Sequence, residues 1–383
     1  MKDELIRLAD KLIVAQCMAL VALVRRFTQV RVANVEPPTS WVVIKLVGMG
    51  DAVLMLPILA AIRAQSPQRL VVVTTGRCAA VFSAPGVADE VVILGRTHLL
   101  TRLRALWTAM RSCDRVVDFE QHIFWSSALS LLARRRARLF GFHTRSRRRN
   151  LAYDGAVDPG AAPRSMKEIF DELARRAGVM PPPGLMPLPV RHDRAARVES
   201  WIAANGLRKG EYLVVAPGSG AAAEFRRPTA DQWAEILVQL PPDRAIVLAG
   251  TRKEAKLIAQ IRERISARLP VVELDFHLEE LAHLLRGAWK VVATDSGPMH
   301  LAAAMGVAVV GIFGPDTPER YRPYNPISAA VTLNLPCSPC NNCWVYREAR
   351  CTNPDRYACI RRLSTEAVLV ALVGKANANQ GGV

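Results

Sequence analysis

Short runs of β-branched and aliphatic residues recur along the chain, alternating with stretches of helical spacing. Val42–Val47, Leu70–Thr74, Glu90–Leu94 and Arg115–Phe119 form one set, and Tyr212–Ala216, Ala245–Ala249, Val291–Thr294 and Val307–Phe313 a second. Strands that are apolar throughout, rather than alternating, belong to sheets covered on both faces, which are parallel sheets with helical crossovers. Val53–Ala64, Asp231–Leu240, Lys253–Ile265 and Glu279–Leu285 supply such helices, and the proline-rich stretch Pro181–Pro189 separates the two sets. The pattern predicts two α/β domains across a cleft, a division that suits 383 residues better than a single core. The expected segments are an N-terminal helix over 1–36, domains over 37–185 and 186–335, and a cysteine-rich tail with a final helix over 336–383.

The formal net charge of +17 implies an acidic partner: nucleic acid, an anionic membrane face or a phosphorylated substrate. No acidic residue lies between Glu120 and Asp154, where Arg134, Arg135, Arg136, Arg138, Arg145, Arg147, Arg148 and Arg149 crowd together. That run is either a solvated basic face or a docking surface for a polyanion. No nucleic-acid-reading motif accompanies it, which argues against a nucleic-acid partner. The longest apolar run, Leu12–Val24, is interrupted by Gln16 and falls short of the ~20 residues of a membrane span. Asp3, Glu4 and Asp10, and the lack of a small-residue cleavage site, argue against a signal peptide. The expectation is a cytoplasmic protein whose N-terminal helix lies in the interface of the inner membrane or packs on protein.

Gly48-Met49-Gly50 opens like a dinucleotide fingerprint, but the third glycine position holds Val53, and no Gly-Lys-Ser/Thr follows to make a Walker loop. Asp51 would repel a phosphate at this turn. Two readings stand: the turn presents a carboxylate at the carboxyl edge of the first strand, or Asp51 caps the helix. Thr294-Asp295-Ser296-Gly297-Pro298-Met299-His300 follows a strand and opens a helix, which offers backbone N–H groups and a hydroxyl to an anion such as a diphosphate. His300 sits one turn in. Near the C-terminus, Cys337, Cys340, Cys343, Cys351 and Cys359 suit a structural Zn or Fe knot in a cytosolic chain. Cys337 and Cys340 form one chelating half, and Cys351 and Cys359 the other. Reduced thiols or occasional disulfides are the alternative.

Lys45 through Pro57, Ala216-Pro217-Gly218-Ser219 and DSGPMHLAAAMGVAVVGIFGP together resemble the heptosyltransferases of glycosyltransferase family nine, in the right order over roughly Val42 to Leu372. The resemblance implies a GT-B architecture: two Rossmann-like domains, the donor bound on the second, and a C-terminal helix returning to the first. It implies inverting transfer of a heptose-like sugar from an ADP-sugar to an anionic acceptor, lipopolysaccharide inner core first, with no cofactor for catalysis. Protein O-heptosyl transfer to an adhesin and non-catalytic nucleotide-sugar binding are the alternatives. By the same resemblance Asp51 is the general base. Ser219, Asp295, Ser296, Gly297 and His300 line the nucleotide and diphosphate, and Glu254 meets the ribose or base. Phe225 stands where the family usually has lysine, so Arg226 or Arg227 is expected to meet the leaving-group charge. No Asp-x-Asp motif is present, as expected of chemistry without a divalent ion.

Overall fold

The computed structural model describes residues 38–76, 78–95, 98–121, 123, 126–133, 137–143, 150–160, 164–219, 224–240, 244–265, 276–340 and 351–373. The chain divides into two compact units at 183/184, with 163–166 joining the second. The expected N-terminal helix, Cys343 and all but Arg138 of the arginine run lie outside the described residues. Among the described residues no helix is long and apolar enough to cross a membrane.

The first unit is built on a parallel sheet of six strands ordered β3-β2-β1-β4-β5-β6. These are β1 (Ser40–Ile44), β2 (Arg69–Thr75), β3 (Glu90–Leu94), β4 (Arg115–Asp118), β5 (Arg138–Phe142) and β6 (Gly155–Val157). The winding direction reverses between β1 and β4, where Ile44 lies beside Asp118. Helices α1 (Met49–Leu54) and α2 (Leu56–Ala64) replace the single helix expected from Val53. Gly48, at φ 90°, turns the chain into the helix early, and Pro57 lacks the N–H to continue the hydrogen-bond ladder, so the helix restarts after Met55. Helix α3 (Leu99–Ser112) lays Leu106, Ala109 and Met110 over Val42, Ile44, Val71 and Val116. That burial removes the strands' apolar side chains from water, as their unbroken hydrophobicity requires.

The second unit holds a parallel sheet ordered β11-β10-β9-β7-β8. Its strands are β7 (Tyr212–Ala216), β8 (Ala245–Leu248), β9 (Lys290–Thr294), β10 (Val309–Phe313) and β11 (Ala329–Thr332), and the winding reverses between β7 and β9. Around it lie α4 (Ala230–Val238), α5 (Ala255–Ile265), α6 (Leu278–Arg286), α7 (Gly297–Ala304) and α8 (Thr365–Val373). Thr229 and Gln232 start α4 with a reciprocal capping box, and Trp233 anchors the core beneath it. The final helix, expected to return to the first domain, is seated here instead. Val368 and Leu372 of α8 are fully buried in the second unit's core, against α4, β10 and β11, and Lys290 Nζ donates to the Leu372 carbonyl. Val368 and Leu372 leave water by covering the β11 end of this sheet, while Val370 and Val373 stay exposed.

Candidate active site

Both sheets gather their charged residues where open α/β sheets bind ligands, at the carboxyl ends of the strands flanking the reversal of winding. In the first unit the chain leaves β1 through Lys45, which is fully buried, and turns at Gly48. Gly48 is not replaceable here: besides its positive φ, a Cβ would lie 3.0 Å from Asp51 Oδ2. Asp51 is the third residue of α1 and makes no N-cap bond, so the capping reading is not what the fold uses. Its carboxylate lies 2.8 Å from Lys45 Nζ, while Glu120, just beyond β4, lies 3.8 Å from the same ammonium. Glu120 also accepts from the backbone N–H groups of Leu46 and Val47, both at 3.1 Å. Burial would depress the lysine's pKa, but the pull of Asp51 and Glu120 outweighs it and holds Lys45 above the ordinary range. Cys78 shares this pocket, and burial pushes its thiol up to about 12 against the opposing effect of Lys45. Asp51 remains the one member of the ion-pair group with appreciable access to solvent, its side chain 15% exposed.

In the second unit, β9 ends at Thr294, whose hydroxyl donates to the Gly218 carbonyl at the end of β7 and ties the two strand ends together. Ser296 is the N-cap residue of α7 in extended conformation; its hydroxyl donates to Thr294 O at 3.0 Å and does not cap the helix. The first turn of α7, which starts at Gly297, thus carries no side-chain cap and no acidic residue; within it Pro298 has no N–H and Met299 N donates to Ser296 O at 3.2 Å. His300 is buried within α7, with Nε2 4.0 Å from Asp295 Oδ1. Glu254 reaches over the end of β7: a Cβ on Gly218 would lie 1.7 Å from its Oε1, so the glycine makes room for this carboxylate. Glu254 also accepts from Thr251 N and Oγ1, at 2.8 and 3.0 Å. Ser219 follows Gly218 directly.

The guanidinium of Arg226 is bound by both Asp295 and Asp316, so its charge is already matched by two carboxylates. Burial opposes its charge, but the two aspartates hold it firmly protonated. Arg227 is the half-buried neighbour.

The thiols of Cys337, Cys340, Cys351 and Cys359 lie in one neighbourhood. Burial, then the other three cysteines, push Cys359 up to about 11, and Cys340 is raised by burial and by Cys351 and Cys337. Asn353 Nδ2 donates to Cys337 Sγ at 3.3 Å and Tyr357 N to Cys351 Sγ at 3.2 Å. Among the described residues, however, no three His, Cys, Asp or Glu side chains stand at metal-ligand spacing.

Sequence reasoning missed Glu120, Asp316 and the Phe225–Tyr357 ring pair. The first two carried a readable signal, being acidic residues just beyond the carboxyl end of an apolar strand, the edge where such sheets put their ligands.

Residues 103–345, more than half of the chain, match the model of glycosyltransferase family 9 (heptosyltransferase). Lipopolysaccharide heptosyltransferase 1 of Pseudomonas aeruginosa is 38% identical over 63 residues, which is 16% of this chain and 18% of that protein. Lipooligosaccharide heptosyltransferase 2 of Campylobacter jejuni is 27% identical over 139 residues, 35% of this chain and 44% of that protein. The matched segments thus span less than half of either relative. The structure of E. coli ADP-heptose lps heptosyltransferase II superimposes with a TM-score of 0.66 over 87% of this chain and 97% of that one, at 19% identity, a likeness of fold. The two parallel sheets are those of a GT-B protein, and the chain belongs to glycosyltransferase family 9.

Proposed function

We propose that the chain is an inverting transferase that moves a heptose-like sugar from an ADP-sugar to an anionic acceptor, lipopolysaccharide inner core before any other. The observation that carries this reading is the opposite chemistry of the two strand edges: a held carboxylate on the first unit and an uncapped, acid-free helix start on the second. A nucleoside diphosphate suits the latter, with Glu254 placed for a ribose. In the reaction, an acceptor oxygen attacks the anomeric carbon from the face opposite the diphosphate. The new C–O bond forms as the bond to phosphate breaks and ADP leaves with the electron pair. The hydroxyl proton passes to Asp51, whose carboxylate Lys45 orients; a weak base suffices where proton transfer lags behind bond formation at an oxocarbenium-like centre. The positive end of α7, the Ser296 hydroxyl and Arg227 stabilise the departing charge without a divalent ion. The basic excess of the chain suits work at the cytoplasmic face of the inner membrane, on a glycolipid or a protein acceptor.

The commitment of Arg226 to two aspartates favours a second reading, non-catalytic binding of a nucleotide sugar. Thermal-shift titration with ADP-, UDP-, GDP- and CMP-sugars separates the cases, since a ligand of the native state raises its melting temperature. The expected result is a shift with ADP-heptose alone, kept by Asp51→Asn while transfer falls about 100-fold or more. Undiminished turnover in that variant removes Asp51 from the chemistry. Binding without turnover by the wild type on either acceptor class favours the second reading.

We also propose that Cys337, Cys340, Cys351 and Cys359 take up one structural Zn or Fe. Four neighbouring thiols, two of them accepting N–H donors, are a suitable soft donor set, and binding would draw the sulfurs to ligand distance. Metal analysis of chelator-free protein should find about one ion per chain, lost in Cys340→Ser along with thermal stability. Metal-free wild type with titratable thiols overturns this.

A further inference from the structure

The donor-side turn is a single three-residue 3-10 segment, Glu224–Arg226, too short to hold its own orientation. Arg226 fastens one side of it to Asp295 and Asp316. Phe225 fastens the other. Its ring stacks on Tyr357 of the cysteine-rich segment, centroids 5.6 Å apart and planes 23° from parallel. A few residues on, Gln232 Nε2 donates to the carbonyls of Ile360 and Arg361, at 3.0 and 2.8 Å. The stretch from Phe225 to Gln232 is therefore stapled at both ends to the single stretch Tyr357–Arg361.

The same segment grips the loop that supplies Asp316. Ser338 Oγ donates to Gly314 O at 2.7 Å and Cys340 N to Pro315 O at 2.9 Å. Gly314 lies close against this segment too, since a Cβ there would lie 3.1 Å from Ile360 Cδ1. Tyr357 itself is held at φ 65°, a left-handed conformation that costs a bulky residue energy and persists only where its surroundings enforce it. The enforcing contacts are its N–H bond to Cys351 Sγ, the buried residues Ala358, Cys359 and Ile360 that follow it, and the guanidinium groups of Arg356 and Arg361 at 5.6 and 5.8 Å from its ring. The cysteine-rich segment thus holds the residues beside both halves of the Arg226–Asp316 ion pair, Phe225 next to Arg226 and Pro315 next to Asp316, and through Arg226 it bears on Asp295, the residue before the α7 N-cap.

We propose that Tyr357 is a positioning residue: by stacking on Phe225 it holds the Arg226 turn against Asp295 and Asp316, and so sets the mouth of α7 for a nucleoside diphosphate. The proposal rests on reading that mouth as the donor site. The ring contact does by packing what a charged side chain at position 225 would do by binding the ligand directly. It also makes donor affinity depend on the thiol cluster, because Cys351 and Cys359 flank and support the ring.

The test compares the full-length wild type with Tyr357→Ala, Tyr357→Phe and Phe225→Leu. Amide hydrogen exchange without ligand should show faster exchange of residues 224–227 in Tyr357→Ala and Phe225→Leu, with α5 unchanged as the reference for an intact fold. Tyr357→Phe keeps the ring and should match the wild type. Calorimetry with ADP should show about three- to tenfold weaker binding in the first two variants and rescue in Tyr357→Phe, the scale of one aromatic pair. In transfer assays KM for the donor should rise by the same factor with kcat little changed. Unaltered exchange in the turn, in either Tyr357→Ala or Phe225→Leu, overturns the proposal whatever the ligand. Faster exchange with wild-type ADP affinity overturns its link to donor binding. A wild type that binds no ADP instead overturns the donor-site reading, while the exchange arm still decides whether Tyr357 positions the turn. Should Tyr357→Ala fail to fold, Phe225→Leu removes the stack from the other side.

Discussion

Each unit places one cation between two carboxylates at its reversal of winding: Lys45 between Asp51 and Glu120, Arg226 between Asp295 and Asp316. The local charge is the same in both, and yet the two edges suit different ligands. The difference lies in the first turn of the adjoining helix. Helix α1 carries Asp51 in that turn, so its positive end already has a carboxylate of its own chain. Helix α7 carries no acid there and no side-chain cap, so its positive end is not matched by a carboxylate of its own first turn. Topology brings both sites to this edge of their sheets; the first helical turn decides whether the helix end is already matched by a carboxylate of the chain.

The cations also differ in depth, and substituting each by methionine should expose that most strongly. The Lys45 side chain is fully buried, whereas that of Arg226 is 23% exposed. Lys45→Met leaves Asp51 and the wholly buried Glu120 facing each other without compensation, and should cost about 3–5 kcal/mol of stability. Arg226→Met also strands two buried aspartates, but the cation it removes is the one nearer to water and better screened, so it should cost less, about 1–3 kcal/mol. Both deficits should shrink as pH falls and the stranded carboxylates take up protons, because the repulsion is between their charged forms. Urea denaturation at neutral and acid pH measures this. Equal costs in the two variants would show that burial does not distinguish the sites.

The parts of this arrangement that could be read from the sequence were the local ones. Eight strands announced themselves through β-branched runs. Strands β6 and β11 did not, because Gly155–Val157 and Ala329–Thr332 are short edge strands made largely of glycine and alanine, and they pair on one side only. Strand β5 carries a glycine next to its last residue, Gly141, where a Cβ would meet the Tyr153 ring, so its pattern is broken by a packing need. In the site, Asp51 and the Asp295–His300 block stood out because each sits at a strand-to-helix junction within one short motif. Their partners did not. Glu120 pairs with Lys45 from another strand end, and Asp316 reaches Arg226 from beyond β10, so only the folded sheet order brings them together. The final helix misled for a related reason: its apolar residues declare that it must be buried but not against which sheet.

The smallest and most discriminating change makes the second edge imitate the first. Ser296→Asp places a carboxylate at the N-cap of α7, a fixed negative charge at the positive helix end that an outside anion would use. Aspartate is a favourable N-cap residue, so helix α7 should keep its stability, although the new charge stands beside Asp295. The fold should therefore persist, with a melting temperature within a few degrees of the wild type, since ~1 kcal/mol moves a domain of this size by roughly 2–4 °C. Binding of ADP should weaken by about tenfold or more, corresponding to ~1.4 kcal/mol of lost helix-end attraction and added like-charge repulsion. Ser296→Ala removes only the hydroxyl that now donates to Thr294 O, and should weaken ADP by no more than a few-fold. Calorimetry on the two variants reads the ratio directly. If Ser296→Asp binds ADP as the wild type does, the diphosphate does not use the α7 N-terminus, and the contrast between the two helix starts loses its functional meaning.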